Sequence, residues 1–157
     1  STSIGMALSV DVLREVRVAV LRTCWNEQWV GPLTSACTDT LENEGVLPHH
    51  IVVRSVPGAA DLPLAAKVAL RKVDAVICIG VLLKGETKHF DYISESVAKS
   101  IMDLQVAASK PVVYGVLNLL TQEQAAERTS QRSQLGASWA RSALSMIGIL
   151  RDLDDWS

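Results

Sequence analysis

Apolar and polar positions along this 157-residue chain switch repeatedly between two periods. Val16-Arg17-Val18-Ala19-Val20-Leu21 is a short run rich in β-branched residues and predicts a strand. Trp29, Leu33, Ala36, Cys37 and Leu41 then recur at helical spacing, and Gly45 follows as a C-terminal stop. Ile51-Val52-Val53 predicts a second strand and Leu64 to Arg71 a helix. The apolar run from Asp74 to Ile79 predicts a third strand, buried on both faces. A helix from about Tyr92 to Ala108 carries Val97, Ile101 and Leu104 on one face, and Val112 to Leu117 is a fourth strand. A short helix near Gln122 to Arg128 and a longer one from about Ala137 to Leu150 complete the pattern. Alternating strand and helix signals imply a parallel sheet with helices on both faces.

Right-handed crossovers narrow this to a three-layer α/β/α sandwich of the flavodoxin-like kind, with four parallel strands. No internal repeat or linker divides the chain, so one domain over residues 1–157 is expected, residues 1–14 forming an N-terminal arm. Ligands in such sheets sit beyond the carboxyl ends of the strands. Trp25 follows the first strand, Pro57 to Asp61 the second, a loop from Gly80 to His89 the third, and a turn beyond Leu117 the fourth. Tyr114 falls within its strand instead.

Composition removes several classes of function. A net charge of −2, with no basic stripe interleaved with aromatics, argues against nucleic acid as a partner. No apolar run approaches the roughly 20 residues of a membrane span. Ser1-Thr2-Ser3-Ile4-Gly5 shows no charged leader before an apolar core, so no secretory signal is expected; the absence of an initiator Met leaves a removed leader open. Cys24, Cys37 and Cys78 form no CxxC pair and read as reduced, buried thiols of a cytoplasmic protein. His49, His50 and His89 have no metal-ligand spacing, so no metal is expected.

The candidate chemistry concentrates after the third strand. Gly85, Glu86 and Thr87 bring backbone N–H groups and a hydroxyl toward the start of a helix, an arrangement suited to an anion. His89 can exchange protons near neutral pH, as a general acid–base must, or can simply begin the helix. Lys88 reads as solvated surface. Trp25 lies just past a strand end, where an indole serves either as packing or as a platform for a flat heteroaromatic ring. Trp29 and Trp139 lie on helical stripes and read as packing. Val56-Pro57-Gly58-Ala59-Ala60-Asp61 is a turn of small residues that either feeds a helix or lets backbone approach a ligand. Arg128 is either a helix-end cation or a fork for a phosphate.

Five segments, in order, resemble the 6,7-dimethyl-8-ribityllumazine synthase family, with a leaning toward its fungal forms. They are Thr23-Cys24-Trp25-Asn26, Ser55 to Pro63, the loop from Gly80 to Ile93, Pro111 to Leu117, and Glu123 to Arg128. The resemblance implies that Trp25, Ala59, Ala60, Asp61, Val81, Leu82 and Tyr114 bind the pyrimidine substrate and its ribityl chain. It implies that Gly85, Glu86, Thr87 and Arg128 hold a phosphate and that His89 transfers protons. Three departures stand out: Asp61 replaces the usual glutamate, Ala60 a usual aromatic, and Leu135 a basic residue before Gly136, with Arg132 as a candidate substitute for that charge.

The implied reaction condenses 5-amino-6-(D-ribitylamino)uracil with 3,4-dihydroxy-2-butanone 4-phosphate, releasing phosphate and water. The substrate's own amine attacks the ketone, so proton shuttling and positioning suffice and no cofactor is expected. The resemblance also implies a homo-oligomer, a pentamer with sites shared between neighbours. The rival is a non-catalytic flavin- or pteridine-binding protein on the same scaffold, which would need neither His89 nor Arg128.

Overall fold

Strands buried on both faces need continuous apolar sequence, and the centre of this sheet has it. The computed structural model describes residues 8–84, 90–119, 121, 127 and 132–157. Its four strands are β1 (Val18–Thr23), β2 (Ile51–Val56), β3 (Ala75–Leu83) and β4 (Val112–Leu119). They pair in parallel in the order β2-β1-β3-β4, the flavodoxin-like arrangement. Central β3 is almost wholly buried, whereas edge strand β2 exposes Val53, Arg54 and Ser55.

Among the described residues the helices are α1 (Val10–Leu13), α2 (Glu27–Glu44), α3 (Leu62–Ala69), α4 (Phe90–Ala108) and α5 (Arg132–Asp155). Alternate strand residues face opposite layers. Val18, Val20, Ile77 and Ile79 pack with Val30, Leu33, Cys37 and Leu41 of α2 and with Ala140, Ala143 and Ile147 of α5. Ala19, Leu21, Val76 and Cys78 meet Leu62 and Ala66 of α3 and Val97 and Ile101 of α4. Leu13, within the expected arm, is buried in the first of these layers.

Several boundaries differ from expectation. β3 does not end at Ile79: Gly80 to Leu83 stay in register with Val116 to Leu119 of β4. The segment expected as loop therefore begins as strand, because its apolar residues keep a paired partner. β2 likewise runs on to Val56 beside β1. α5 starts at Arg132 rather than near Ala137, since Leu135 and Trp139 extend its buried stripe by one turn. Gly136 consequently lies inside this helix, where α5 crosses α2. A Cβ there would stand 2.7 Å from the Ala36 Cβ and the Leu33 carbonyl oxygen. Gly115 is held small in the same way, with Trp139 at 2.9 Å from a Cβ at that position. Cys37 and Cys78 are buried as expected, but Cys24 is exposed at the end of β1. Apart from Glu127, which is helical, the expected short helix at 122–128 lies outside the described residues.

Candidate active site

The chain leaves β1 toward β2 on one side, and later leaves β2 to enter β3 on the other side of β1. In sheets of this order that reversal opens a crevice between the carboxyl ends of β1 and β3. A cavity of about 450 Å³ lies at these ends, lined by Trp25, Gly58, Ala59, Ala60, Val81, Leu82, Leu83 and Ile93. Its walls are mostly apolar, as suits a flat ring system.

Each wall follows from local sequence. Trp25 stands in the turn between β1 and α2 with 70% of its surface exposed, so core packing does not account for its indole. Cys24 N–H donates to the Val56 carbonyl at 3.1 Å, and Arg22 forms an ion pair with Glu27 beside the same turn. Trp29 packs against the α2–α5 layer and Trp139 does the same, both as expected of packing residues. Gly58 to Asp61 form a tight turn in which the Asp61 carboxylate accepts from the Gly58 N–H at 3.0 Å. The short aspartate side chain thus closes its own turn at α3. Ala59 is buried and Ala60 exposed, and both reach the cavity without side chains that would fill it. β1 pairs with β3 only as far as Arg22↔Ile79, so the last residues of β3 project past it and present their backbone edge to the crevice.

Tyr114 does not join this cavity. It pairs with Cys78 on edge strand β4, whereas Val81 pairs with Leu117. Three residues separate these rungs, about 10 Å along the strand. Its hydroxyl accepts from Asn118 Nδ2 at 3.2 Å, and Asn118 Oδ1 accepts from Ser94 at 2.9 Å. Leu135 packs on the core, which accounts for an apolar residue there. Gly85, Glu86, Thr87, Lys88, His89 and Arg128 lie outside the described residues, as does the side chain of Arg132.

Gly58, Leu83 and Ile93 line the cavity without having been singled out as site residues from sequence, nor was Asn26, which bonds to Val81 beside it. Leu83 lies where the strand was expected to have ended. Ile93 extends the stripe of Val97 and Ile101 one turn beyond the core. Asn26 precedes α2, where a small polar residue is the ordinary helix-start signal. No group of metal-ligating side chains occurs among the described residues, and no described helix is long and apolar enough to cross a membrane.

A parallel sheet of this order with an apolar crevice at its reversal defines an α/β protein of the flavodoxin-like class. Within that class the sequence is specific. Residues 15–151 match the family described as 6,7-dimethyl-8-ribityllumazine synthase, and the chain belongs to that family. The enzyme of that name from Porphyromonas gingivalis is 37% identical over 146 residues, covering 91% of each chain. The Schizosaccharomyces pombe enzyme is 37% identical over 137 residues, covering 84% of this chain and 86% of its own. The Gloeobacter violaceus enzyme is 34% identical over 146 residues, covering 89% and 81% respectively.

Proposed function

We propose that this chain is a transferase of riboflavin biosynthesis. It condenses 5-amino-6-(D-ribitylamino)uracil with 3,4-dihydroxy-2-butanone 4-phosphate to give 6,7-dimethyl-8-ribityllumazine, phosphate and water. The observation that carries this reading is the convergence of Trp25, Ala59, Ala60, Val81 and Leu82 on one cavity, in a chain matching the family over residues 15–151. The pyrimidine stacks on Trp25, and the free backbone edge of β3 holds its polar rim. Asp61 lies beside the ribityl chain. Gly85, Glu86 and Thr87 supply backbone N–H groups to the phosphate, Arg128 grips it, and His89 moves protons during imine formation, phosphate elimination and ring closure.

The active unit in this reading is a cytoplasmic homopentamer of single-domain chains. Tyr114 and Arg128 of one subunit complete the crevice of the next. Two features support the assembly. The cavity lacks Tyr114 within one chain. The outer faces of α3 and α4 also expose Leu64, Val68, Met102 and Val106, apolar surface suited to a partner copy.

No observation favours the non-catalytic flavin-binding alternative. Incubation with both substrates separates the two: lumazine absorbance should appear with an equal amount of free phosphate. Tight riboflavin binding without either product would refute the catalytic reading.

A further inference from the structure

Trp25 is too exposed to be held by packing, so its orientation must come from the backbone that carries it. Asn26, the next residue, adopts the left-handed conformation at φ 59°, uncommon for any residue but glycine and most tolerated by asparagine. Its side-chain amide donates to the Val81 carbonyl at 2.8 Å across 55 residues of sequence. Its own carbonyl accepts from the N–H groups of Trp29 and Val30, starting α2. The residue thus reverses the chain after Trp25, begins the helix and bonds to β3, the strand opposite the indole.

These ties are unequal in what they position. The Cys24–Val56 bond fastens the turn to β2, and the Arg22–Glu27 pair fastens it to itself. The Asn26 amide joins the Trp25 turn to the projecting end of β3, so it sets the width of the crevice between indole and strand. It also takes up the Val81 carbonyl, one of the acceptors on the edge of β3 that β1 leaves unpaired beyond Ile79. A pyrimidine entering the crevice therefore meets a strand edge from which one acceptor has been removed.

We infer that Asn26 is a positioning residue of the active site: its amide, bonded to Val81, spaces Trp25 from β3 and selects the backbone groups left for the pyrimidine. This rests on the proposed stacking of the pyrimidine on Trp25. Asn26→Gly keeps the left-handed turn while deleting the amide. Asn26→Asp keeps the size and turn preference but replaces the donor with a carboxylate facing a carbonyl.

The test measures the dissociation constant of 6,7-dimethyl-8-ribityllumazine by titration calorimetry in every variant, and the KM for the uracil substrate in the two Asn26 single variants. It uses Asn26→Gly, Asn26→Asp, Trp25→Ala and the double variant Trp25→Ala/Asn26→Gly, with assembly and thermal unfolding as controls. The two Asn26 variants should bind product about three- to tenfold more weakly, the scale of one hydrogen bond. The uracil KM should rise by a similar factor, with kcat and the KM for the phosphorylated ketone little changed. In the Trp25→Ala background Asn26→Gly should cost clearly less than in the parent, because the spacing it sets is then empty and only the freed Val81 carbonyl remains. Additive losses in the double variant, or unchanged binding in both Asn26 variants while Trp25→Ala binds weakly, would overturn the inference and leave the platform standing. Unchanged binding in Trp25→Ala would overturn both.

Discussion

Replacing Gly136 with alanine tests whether the frame beneath the crevice is as tight as it looks. In an ordinary helix this substitution stabilises, by about 1 kcal/mol. Here the new Cβ would lie 2.7 Å from the Leu33 carbonyl oxygen and the Ala36 Cβ, and 2.9 Å from the Cys37 nitrogen. Two of those atoms are helix backbone, so no side-chain rotation relieves them, and α2 and α5 must separate by about 0.7 Å to restore ordinary contact. Overpacking of this kind costs about 1–3 kcal/mol and here also loosens the neighbouring contacts. The net expectation is a loss of about 1–2 kcal/mol, lowering Tm by roughly 2–8 °C.

Gly31 in α2 provides the contrast. Its added Cβ meets only the Glu27 carboxylate, the end of a mobile side chain. The gain of about 0.5–1 kcal/mol from replacing a helical glycine is offset by disturbing the partly exposed Arg22–Glu27 pair. Gly31→Ala should therefore stay within about 0.5 kcal/mol of the parent. Thermal unfolding followed by circular dichroism, at one protein concentration because assembly shifts Tm, reads both. A Gly136→Ala variant as stable as the parent, or an equal loss in both, would refute the reasoning.

His89→Ala should lower kcat by about 10²–10⁴ while product affinity stays near the parent value, and a parental rate at saturating substrate would remove His89 from the chemistry. Cys24 should react with a thiol reagent in the folded protein while Cys37 and Cys78 react only on unfolding; rapid reaction of all three would contradict the burial. Burial pushes the Cys37 and Cys78 thiols from 9.0 up to about 12. Between those values the unfolded chain releases these protons and the folded chain keeps them. Their contribution to stability is thus full below pH 9 and is lost as the pH rises toward about 12. Each thiol contributes a slope of about 1.4 kcal/mol per pH unit, so Cys78→Ala should flatten the fall in unfolding free energy between pH 9.5 and 11 by about that amount. An unchanged slope would contradict it.

The layers were legible in the sequence because their causes are local. The stripe of Leu33, Cys37 and Leu41 and the run from Ala75 to Ile79 each carry their period within a few residues. The end of β3 was not legible: Gly80 reads as a turn in isolation, and only pairing with Val116 keeps it in a strand. The start of α5 was not legible for a similar reason: Arg132, Ser133, Gln134 and Gly136 are polar or small, and Leu135 becomes informative only once Trp139 is known to pack, half-buried, against the same core layer. At the site, Trp25, Ala59, Ala60, Val81 and Leu82 were found through a family pattern as well as their place after strands. Asn26 was not among the candidates because its role depends on a carbonyl 55 residues away, a contact no local pattern encodes. The Asp61 carboxylate turns to the Gly58 N–H, a contact within its own turn that the residue types alone do not announce.

The proposed sharing of each site, half on one chain and half on its neighbour, is tested most directly by complementation. Trp25→Ala and Arg128→Ala variants, each confirmed inactive as a pure assembly, are unfolded together in equal amounts, refolded and shown to share common oligomers. Random mixing should place an intact Trp25 half against an intact Arg128 half at about one quarter of the interfaces. Activity should return to about that fraction of the parent protein's. Mixed oligomers that remain inactive would contradict the shared site.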